Sequence, residues 1–471
     1  MGELVDDVVA SRPMSPTEKL FYKMQEYGGS TCGCIAEVYG ELSEERLRAA
    51  LARVVERSGL MRSRVELKDG WPQFVLHTNQ DFPLVMLEDG DGERVDDLLA
   101  AGLETNFFER PFLWELTCLR DRADAHHYWL ILVVNHAITD GTHIGVALTN
   151  LLLAYSETSA AREAPTTSIE PPLESYLKYN VSLTDGWRFL SLLARKQWLG
   201  LDSVKPEAIA QYPGRKTRAI HKQFSPELSA RLRDKARQKS TTVNGALSAA
   251  LAFAVAEKID PKRRLRLGLE TNVSFRKELG LRSDQAGALI SMLSSIHTLE
   301  PERQFWALAR ETKHAVVTAQ EKNMHRVNNH MWEWLQRWMS DAARMKYLNG
   351  DKLGRLELML ISNMGDLGIP RELSGFRLES LRMLASQHGF GNFFSMTAVS
   401  LGGRLGLNLS FAEPVVQRAT AQSVLAAIAD LVERAVALDD FSLAEWTARD
   451  GAPARRPQPQ AAAPQPDQHV A

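Results

Sequence analysis

The chain has 471 residues, 44% hydrophobic and 24% charged, which is the balance of an ordinary globular protein with material for two domains of roughly 200 residues each. A formal net charge of −2 argues against nucleic-acid binding, and the basic cluster Lys262, Arg263, Arg264 and Arg266 reads as a solvated strand end. No apolar run reaches about 18 residues and the opening MGELVDDVVASRP is acidic, so neither a membrane span nor a signal peptide is expected, and the chain reads as cytoplasmic.

Ser15, Pro16 and Glu18 open a helix that runs on to Tyr27, by the usual chemistry of helix starts. TCGCIAEVY alternates as a strand does, which puts the thiols of Cys32 and Cys34 on one face. With Cys118 as the only other cysteine, packing rather than a disulfide framework or a metal site is expected. Leu47, Ala50, Leu51, Val54 and Val55 then share one face of a helix spanning Leu42 to Ser58, with Ser43 as its N-cap. MRSRVEL and WPQFVLH alternate on either side of Lys68-Asp69-Gly70, a hairpin turn. Phe107 to Leu119 alternates again and is expected to pair with the next segment.

That segment, Tyr128 to Tyr155, is the organising stretch of the chain. Its first seven residues, YWLILVV, form a run too short for a membrane and rich in β-branched and aromatic types, hence a fully buried strand. Polar residues follow at once, and then Ile144, Val146, Ala147, Leu148, Leu151 and Leu152 recur at helical spacing. A strand, a tight turn and a helix therefore carry His136, Asp140 and Gly141 to the edge of a core, where chemistry is commonly hosted. An imidazole with its usual pKa near 6.5 can take a proton from a hydroxyl or amine as that group attacks a thioester. Asp140 can hold the turn by a salt bridge or by capping the helix, while Gly141 lets the backbone come close to a ligand. The plain alternative is a histidine at the edge of a core beside an N-capping aspartate.

The stretch VVNHAITDG is similar to the active-site signature of the condensation-domain superfamily, in which peptide-synthetase condensation domains, polyketide-associated acyltransferases, alcohol acetyltransferases and chloramphenicol acetyltransferase share a fold. Most members carry two consecutive histidines; here Asn135 precedes His136. The second histidine is the base in the family, so the resemblance implies that role for His136, with Asn135 in the supporting position.

Residues 156–172, rich in Ser, Thr, Ala, Glu and Pro, read as a linker. Helices follow at Leu173 to Leu183 and at Trp187 to Leu199, the second with Trp187, Leu190, Leu193 and Trp198 as its apolar positions. The division between halves falls near Leu183. Ser225-Pro226-Glu227 opens another helix to Lys239, and TVNGALSAALAFAV is an apolar helix whose small residues permit close packing. Leu265 to Val273 is a strand leading into NVSFRKELG. The resemblance matches Arg276 in that loop to the family arginine that contacts the motif aspartate, and a buried Asp140 would in any case need a cation or several donors. Gln285 to Leu293 resembles the family's next strand.

Phe305 to Met339 is helical and aromatic-rich; Met331, Trp332, Trp334, Leu335, Trp338 and Met339 cover more than one stripe, which suits channel lining as well as packing. LELMLISNMGDLGIP reads as a strand ending in a Ser362-Asn363-Met364-Gly365 turn, a turn similar to one in many stand-alone members of the superfamily. Ser362 or Asn363 is then placed to face substrate or to satisfy its own turn. Phe393 to Val399 and Arg404 to Phe411 form a hairpin around Gly402-Gly403, and Ala421 to Leu438 the last amphipathic helix. The Pro, Gln and Ala-rich end cannot build a core.

The resemblance, over roughly residues 13 to 445, implies an α/β fold of two chloramphenicol-acetyltransferase-like subdomains in a V-shaped pseudo-dimer with a channel between them: 1–183, carrying the motif, and 184–450, followed by a disordered tail, 451–471. It implies transfer of an acyl group from a thioester of coenzyme A or a phosphopantetheinyl carrier protein to a small-molecule alcohol or amine, in secondary-metabolite or lipid biosynthesis. It further implies no bound cofactor, no metal and a monomer. A proton-abstracting epimerase and a catalytically silent platform for carrier proteins are the alternative readings.

Overall fold

The computed structural model describes residues 8–78, 81–156, 165–177 and 180–448, without the side chains of residues 197, 332, 333 and 335–337. The proline-rich tail and residues 157–164 of the 156–172 linker, for which expectations were stated, lie outside the described residues, as do the side chains of Trp332 and Leu335.

Two six-stranded mixed sheets carry the fold. In the first the strands run in the order Glu372–Leu373, Phe376–Ala385, Thr31–Gly40, His127–Asn135, Trp114–Asp121 and Leu84–Gly90. The buried strand expected from YWLILVV is His127–Asn135, every residue of it buried. It pairs antiparallel on both sides, Cys34 opposite Leu132 and Leu116 opposite Leu132, so an unbroken apolar run is what its position requires. The second sheet runs Ile290–Leu299, Leu265–Ser274, Arg355–Asp366, Gly391–Leu401, Arg404–Glu413 and Lys216–Gln223. A third sheet, of three strands, holds the expected hairpin: Ser63–Lys68 and Trp71–His77 join across Asp69 and Gly70, whose φ values of 53° and 75° give the mirror-image turn that suits strand twist. Val8–Pro13 completes it.

Helices cover the sheets. Pro16–Met24 starts at a capping box in which the Ser15 hydroxyl accepts from Glu18 N–H and the Glu18 carboxylate accepts from Ser15 N–H. Gly141–Ser156 lays Ile144, Leu148, Leu151 and Leu152 into the first core, and Val243–Ile259 is buried on nearly all sides in the second. The alanines at 246, 249, 250, 252, 254 and 256 let neighbouring helices approach it closely.

Several expectations are corrected. The Ser43 side chain makes no capping bond; its N–H instead donates to the Tyr155 hydroxyl at 2.9 Å. Phe107 to Leu119 is a strand only from Trp114, after a short helical turn at Phe107–Glu109, and the strand after Arg276 starts at Ile290 rather than Gln285. Phe305 to Met339 is two helices, Phe305–Glu321 and Met324–Trp338, broken at Asn323 with φ 56°. Ser362 to Gly365 is not a turn. The strand runs on to Asp366 with a register shift between Asn363 and Gly365, because parallel pairing with Gly391–Leu401 holds both sides of it. The apolar positions Trp187, Leu190 and Trp198 face outward, with Trp198 85% exposed.

The largest departure concerns the division at residue 183. Phe376–Ala385 leaves the second half and pairs antiparallel with Thr31–Gly40, from Phe376 opposite Gly40 to Ala385 opposite Cys32, and Leu378, Leu381 and Met383 join the first core. An edge that would otherwise stay open is thereby closed. The chain then returns through Gly389, where an added Cβ would stand 1.6 Å from the Tyr27 carbonyl oxygen. Gly389→Ala should cost about 2 kcal/mol or more, since backbone must move to admit the methyl group; the urea midpoint of unfolding measures it.

Candidate functional site

The turn after His127–Asn135 is fixed by its own backbone and by one carboxylate. His136 N–H donates to the Ser30 carbonyl at 2.7 Å and Ile138 N–H to the Asn135 carbonyl at 3.2 Å. Asp140 is fully buried. Its Oδ1 accepts from the N–H groups of Thr142 at 3.1 Å and His143 at 3.0 Å, capping the Gly141–Ser156 helix. Its Oδ2 accepts from Leu289 N–H at 3.0 Å and from Arg276 Nη1 at 2.5 Å. Arg276 is itself buried and also donates to the Gln285 carbonyl at 2.8 Å. A carboxylate so deep in the protein is tolerable only with such a set of donors.

His136 is half-buried, and its ring stacks on Phe21 with centroids 4.7 Å apart and planes 16° from parallel. Nδ1 lies 2.7 Å from the Thr139 carbonyl oxygen. A carbonyl only accepts, so Nδ1 carries the ring hydrogen and Nε2 keeps its lone pair. Burial holds the pKa of this imidazole below its ordinary value of 6.5, against the opposing pull of Asp140 and the Thr139 carbonyl. Asn135 is buried and, among the described residues, makes no hydrogen bond to the ring; its Oδ1 accepts from Ala137 N–H at 2.9 Å, which shapes the turn.

His136 lines a cavity of about 320 Å³ between the two large sheets, with walls from both halves. Gly141 lines it too, and an added Cβ there would come 2.7 Å from Met364 Cε. Ser362 and Asn363 face the same space, although Asn363 Oδ1 is engaged by Gly365 N–H at 2.9 Å. Trp334 does not line it and is 49% exposed. Much of the wall is apolar, with Leu20, Phe21, Met24, Leu360 and Met383 among its members. A polar strip on the second-half side contains Glu270, Asn272 and Asn392, residues the sequence did not single out because their two strands are far apart in the chain. His143 was missed as well. It is buried one turn beyond the motif, bonded through Nδ1 to Thr139 Oγ1 at 2.9 Å, and burial pushes its pKa down to about 4. His143 lines a second cavity of about 540 Å³, with Arg57, Glu170 and Asp284.

Comparison with known proteins matches this architecture. The curated relative surfactin synthase subunit 2 from Bacillus subtilis (strain 168) is 23% identical over 151 residues, which is 30% of this chain and 4% of that protein's length; the chain thus spans a small part of that relative. Among solved structures, trichothecene 15-O-acetyltransferase from Fusarium sporotrichioides superposes with a TM-score of 0.69 at 11% identity, covering 90% of this chain and 95% of that one. The epimerization domain from the third module of tyrocidine synthetase B superposes with a TM-score of 0.63 at 13% identity, over 92% and 98%. Identities this low speak for the fold alone. The family model for the condensation domain matches residues 19–329, more than half of the sequence, and the chain belongs to the condensation domain family.

Proposed function

We propose that the chain is an acyltransferase of condensation type, which moves an acyl group from a thioester to a hydroxyl or amine and so forms an ester or an amide, in secondary-metabolite or lipid biosynthesis. The observation that carries this reading is the His136 imidazole, locked by the Thr139 carbonyl into the tautomer with a bare Nε2 and set in the wall of the cavity. Nε2 takes the proton of the acceptor O–H or N–H as the new bond to the thioester carbon forms. The C–S bond then breaks, and the thiolate leaves with the proton held by the ring. No covalent acyl-enzyme is required, because holding both reactants together supplies much of the rate. The negative charge that grows on the carbonyl oxygen is met at the start of the Gly141–Ser156 helix, where Gly141 presents backbone to the cavity.

The donor is an acyl thioester of coenzyme A or of a phosphopantetheinyl carrier protein. The second cavity meets another face of the same helix, through His143, Ala147 and Asn150. Asp140 and Arg276 are positioning residues: they hold the turn that aims His136. Among the described residues no helix is long and apolar enough to cross a membrane.

His136→Ala should lower acyl transfer by roughly 10²- to 10⁴-fold with the far-UV circular dichroism unchanged; turnover at the wild-type rate would remove the base. Incorporation of solvent deuterium next to a thioester, without a joined product, would replace transfer by proton abstraction. Asp140→Ala strands the buried Arg276 guanidinium and should cost about 3 to 5 kcal/mol of stability together with activity, a loss visible in thermal unfolding. Burial disfavours the imidazolium, so the neutral base is the major form at neutral pH. The rate should therefore be level above pH 7 and fall only below the ordinary imidazole pKa of about 6.5, as a pH profile of kcat/KM will record.

A further inference from the structure

The helix Leu183–Leu199 is apolar on the face that the fold leaves uncovered. Asp185, Phe189 and Lys196 turn inward: the first two are buried, and Lys196 is bound to Glu357 in the strand Arg355–Asp366. Leu183, Trp187, Leu190, Ala194 and Trp198 recur at helical spacing on the opposite side. Leu183 is 96% exposed, Trp187 73% and Trp198 85%. A stripe of this regularity ordinarily builds a core, and here it points at solvent. Met324–Trp338 packs beside this helix and exposes Trp334 and Trp338 as well. Large apolar side chains left open on two adjacent helices mark an interaction surface.

The charges that border the stripe are mostly positive. Asp185 is the one acidic residue between positions 183 and 199, and it lies on the inward side. Arg188, which pairs with it at 3.3 Å, and Arg195 stand along one border of the stripe. The far end of the helix meets the basic run Lys262, Arg263, Arg264 and Arg266, expected from the sequence as a solvated strand end. Arg266 Nη1 donates to the Leu199 carbonyl at 3.1 Å, and Asp202, just beyond the helix, pairs with Arg263 at 2.8 Å. Lys262, Arg263 and Arg264 are exposed, with Glu300 3.2 Å from Arg264. Arg195 and Lys262 have no carboxylate partner among the described residues. An aromatic ridge therefore ends in a cluster of cations.

We propose that the outward face of Leu183–Leu199, anchored by Trp187 and Trp198 and continued by the run from Lys262 to Arg266, docks on an anionic lipid surface. Indoles settle at the boundary between headgroups and acyl chains, and cations beside them are drawn to anionic headgroups. A helix of 17 residues with Arg188, Arg195 and Lys196 in it is too short and too charged to cross a bilayer, so it lies along the surface. A second copy of the chain seated on the same face would set these cations against their own kind, which is unfavourable. The docked helix rests on Arg355–Asp366, whose Leu360 and Ser362 line the His136 cavity, so the contact holds that cavity close to the bilayer. This goes beyond the transfer reading and does not depend on it.

Flotation of the full chain with vesicles tests this, using pure phosphatidylcholine and an equal mixture of phosphatidylcholine with phosphatidylglycerol. Partition onto the mixed vesicles should exceed that onto the neutral ones by at least about tenfold and should weaken as salt is raised. Trp187→Ala combined with Trp198→Ala should lower partition onto the mixed vesicles by about tenfold or more. Lys262→Gln combined with Arg264→Gln should lower it by a similar factor there and leave the weak binding to neutral vesicles in place. All four side chains are exposed, so far-UV circular dichroism should not change; Trp198→Ala alone, with a smaller loss, serves if the double variant does not fold. No partition onto the mixed vesicles, equal partition onto both kinds, or partition that survives the loss of both indoles overturns the proposal. A concentration-dependent dimer that the tryptophan variant dissolves, without vesicle binding, overturns it in favour of a contact between copies.

Discussion

The Asp140 carboxylate is the group on which the rest of the site depends. Four donors reach it, two from the helix that follows it and two from the second half of the chain, Leu289 N–H and Arg276. Charge this deep is stable only when all its lone pairs are used, so the turn holding His136 takes its shape only when the two halves are docked. One ion pair thus couples assembly of the molecule to the posture of its imidazole. The ring itself is constrained from three sides, by the Thr139 carbonyl, by Phe21 stacked on its face and by Ser30 accepting from its backbone.

Around that fixed point the cavity has two characters. Apolar side chains from the first helix and from both sheets suit an acyl chain, while the strip at Glu270 suits a polar partner. An apolar wall supplies binding through excluded water and is tolerant of chain length; a polar wall is selective, since each unmet hydrogen bond is felt. The division fits a reaction whose two substrates differ in polarity, and it arises because strand residues alternate between the core of the second half and the open space on the other face of its sheet.

Much of this was legible in the sequence wherever a signal is local. The buried strand, the polar turn and the helix after it are contiguous, so periodicity alone located His136, Asp140 and Gly141. Arg276 was within reach because a buried carboxylate demands a cation and the family resemblance named a candidate. Glu270, Asn392 and Phe21 carry no such mark; two strands and a helix far apart in the chain bring them to one cavity. The Trp187 and Trp198 stripe was correctly periodic, yet periodicity does not say whether a face is covered, and here it is open. Trp334 misled for the same reason. The Ser362 to Gly365 stretch has turn composition, and its one parallel neighbour, Gly391–Leu401, overrode it.

The strand that crosses from one half to the other also bears on how the protein is made. During synthesis the amino-terminal sheet emerges with Thr31–Gly40 at a bare margin, and the segment that seals it, Phe376–Ala385, leaves the ribosome only long afterwards. Until then that margin can recruit any extended peptide nearby. A nascent chain of this design is at its most vulnerable throughout the interval between the two strands, and its first sheet is finished by the later one.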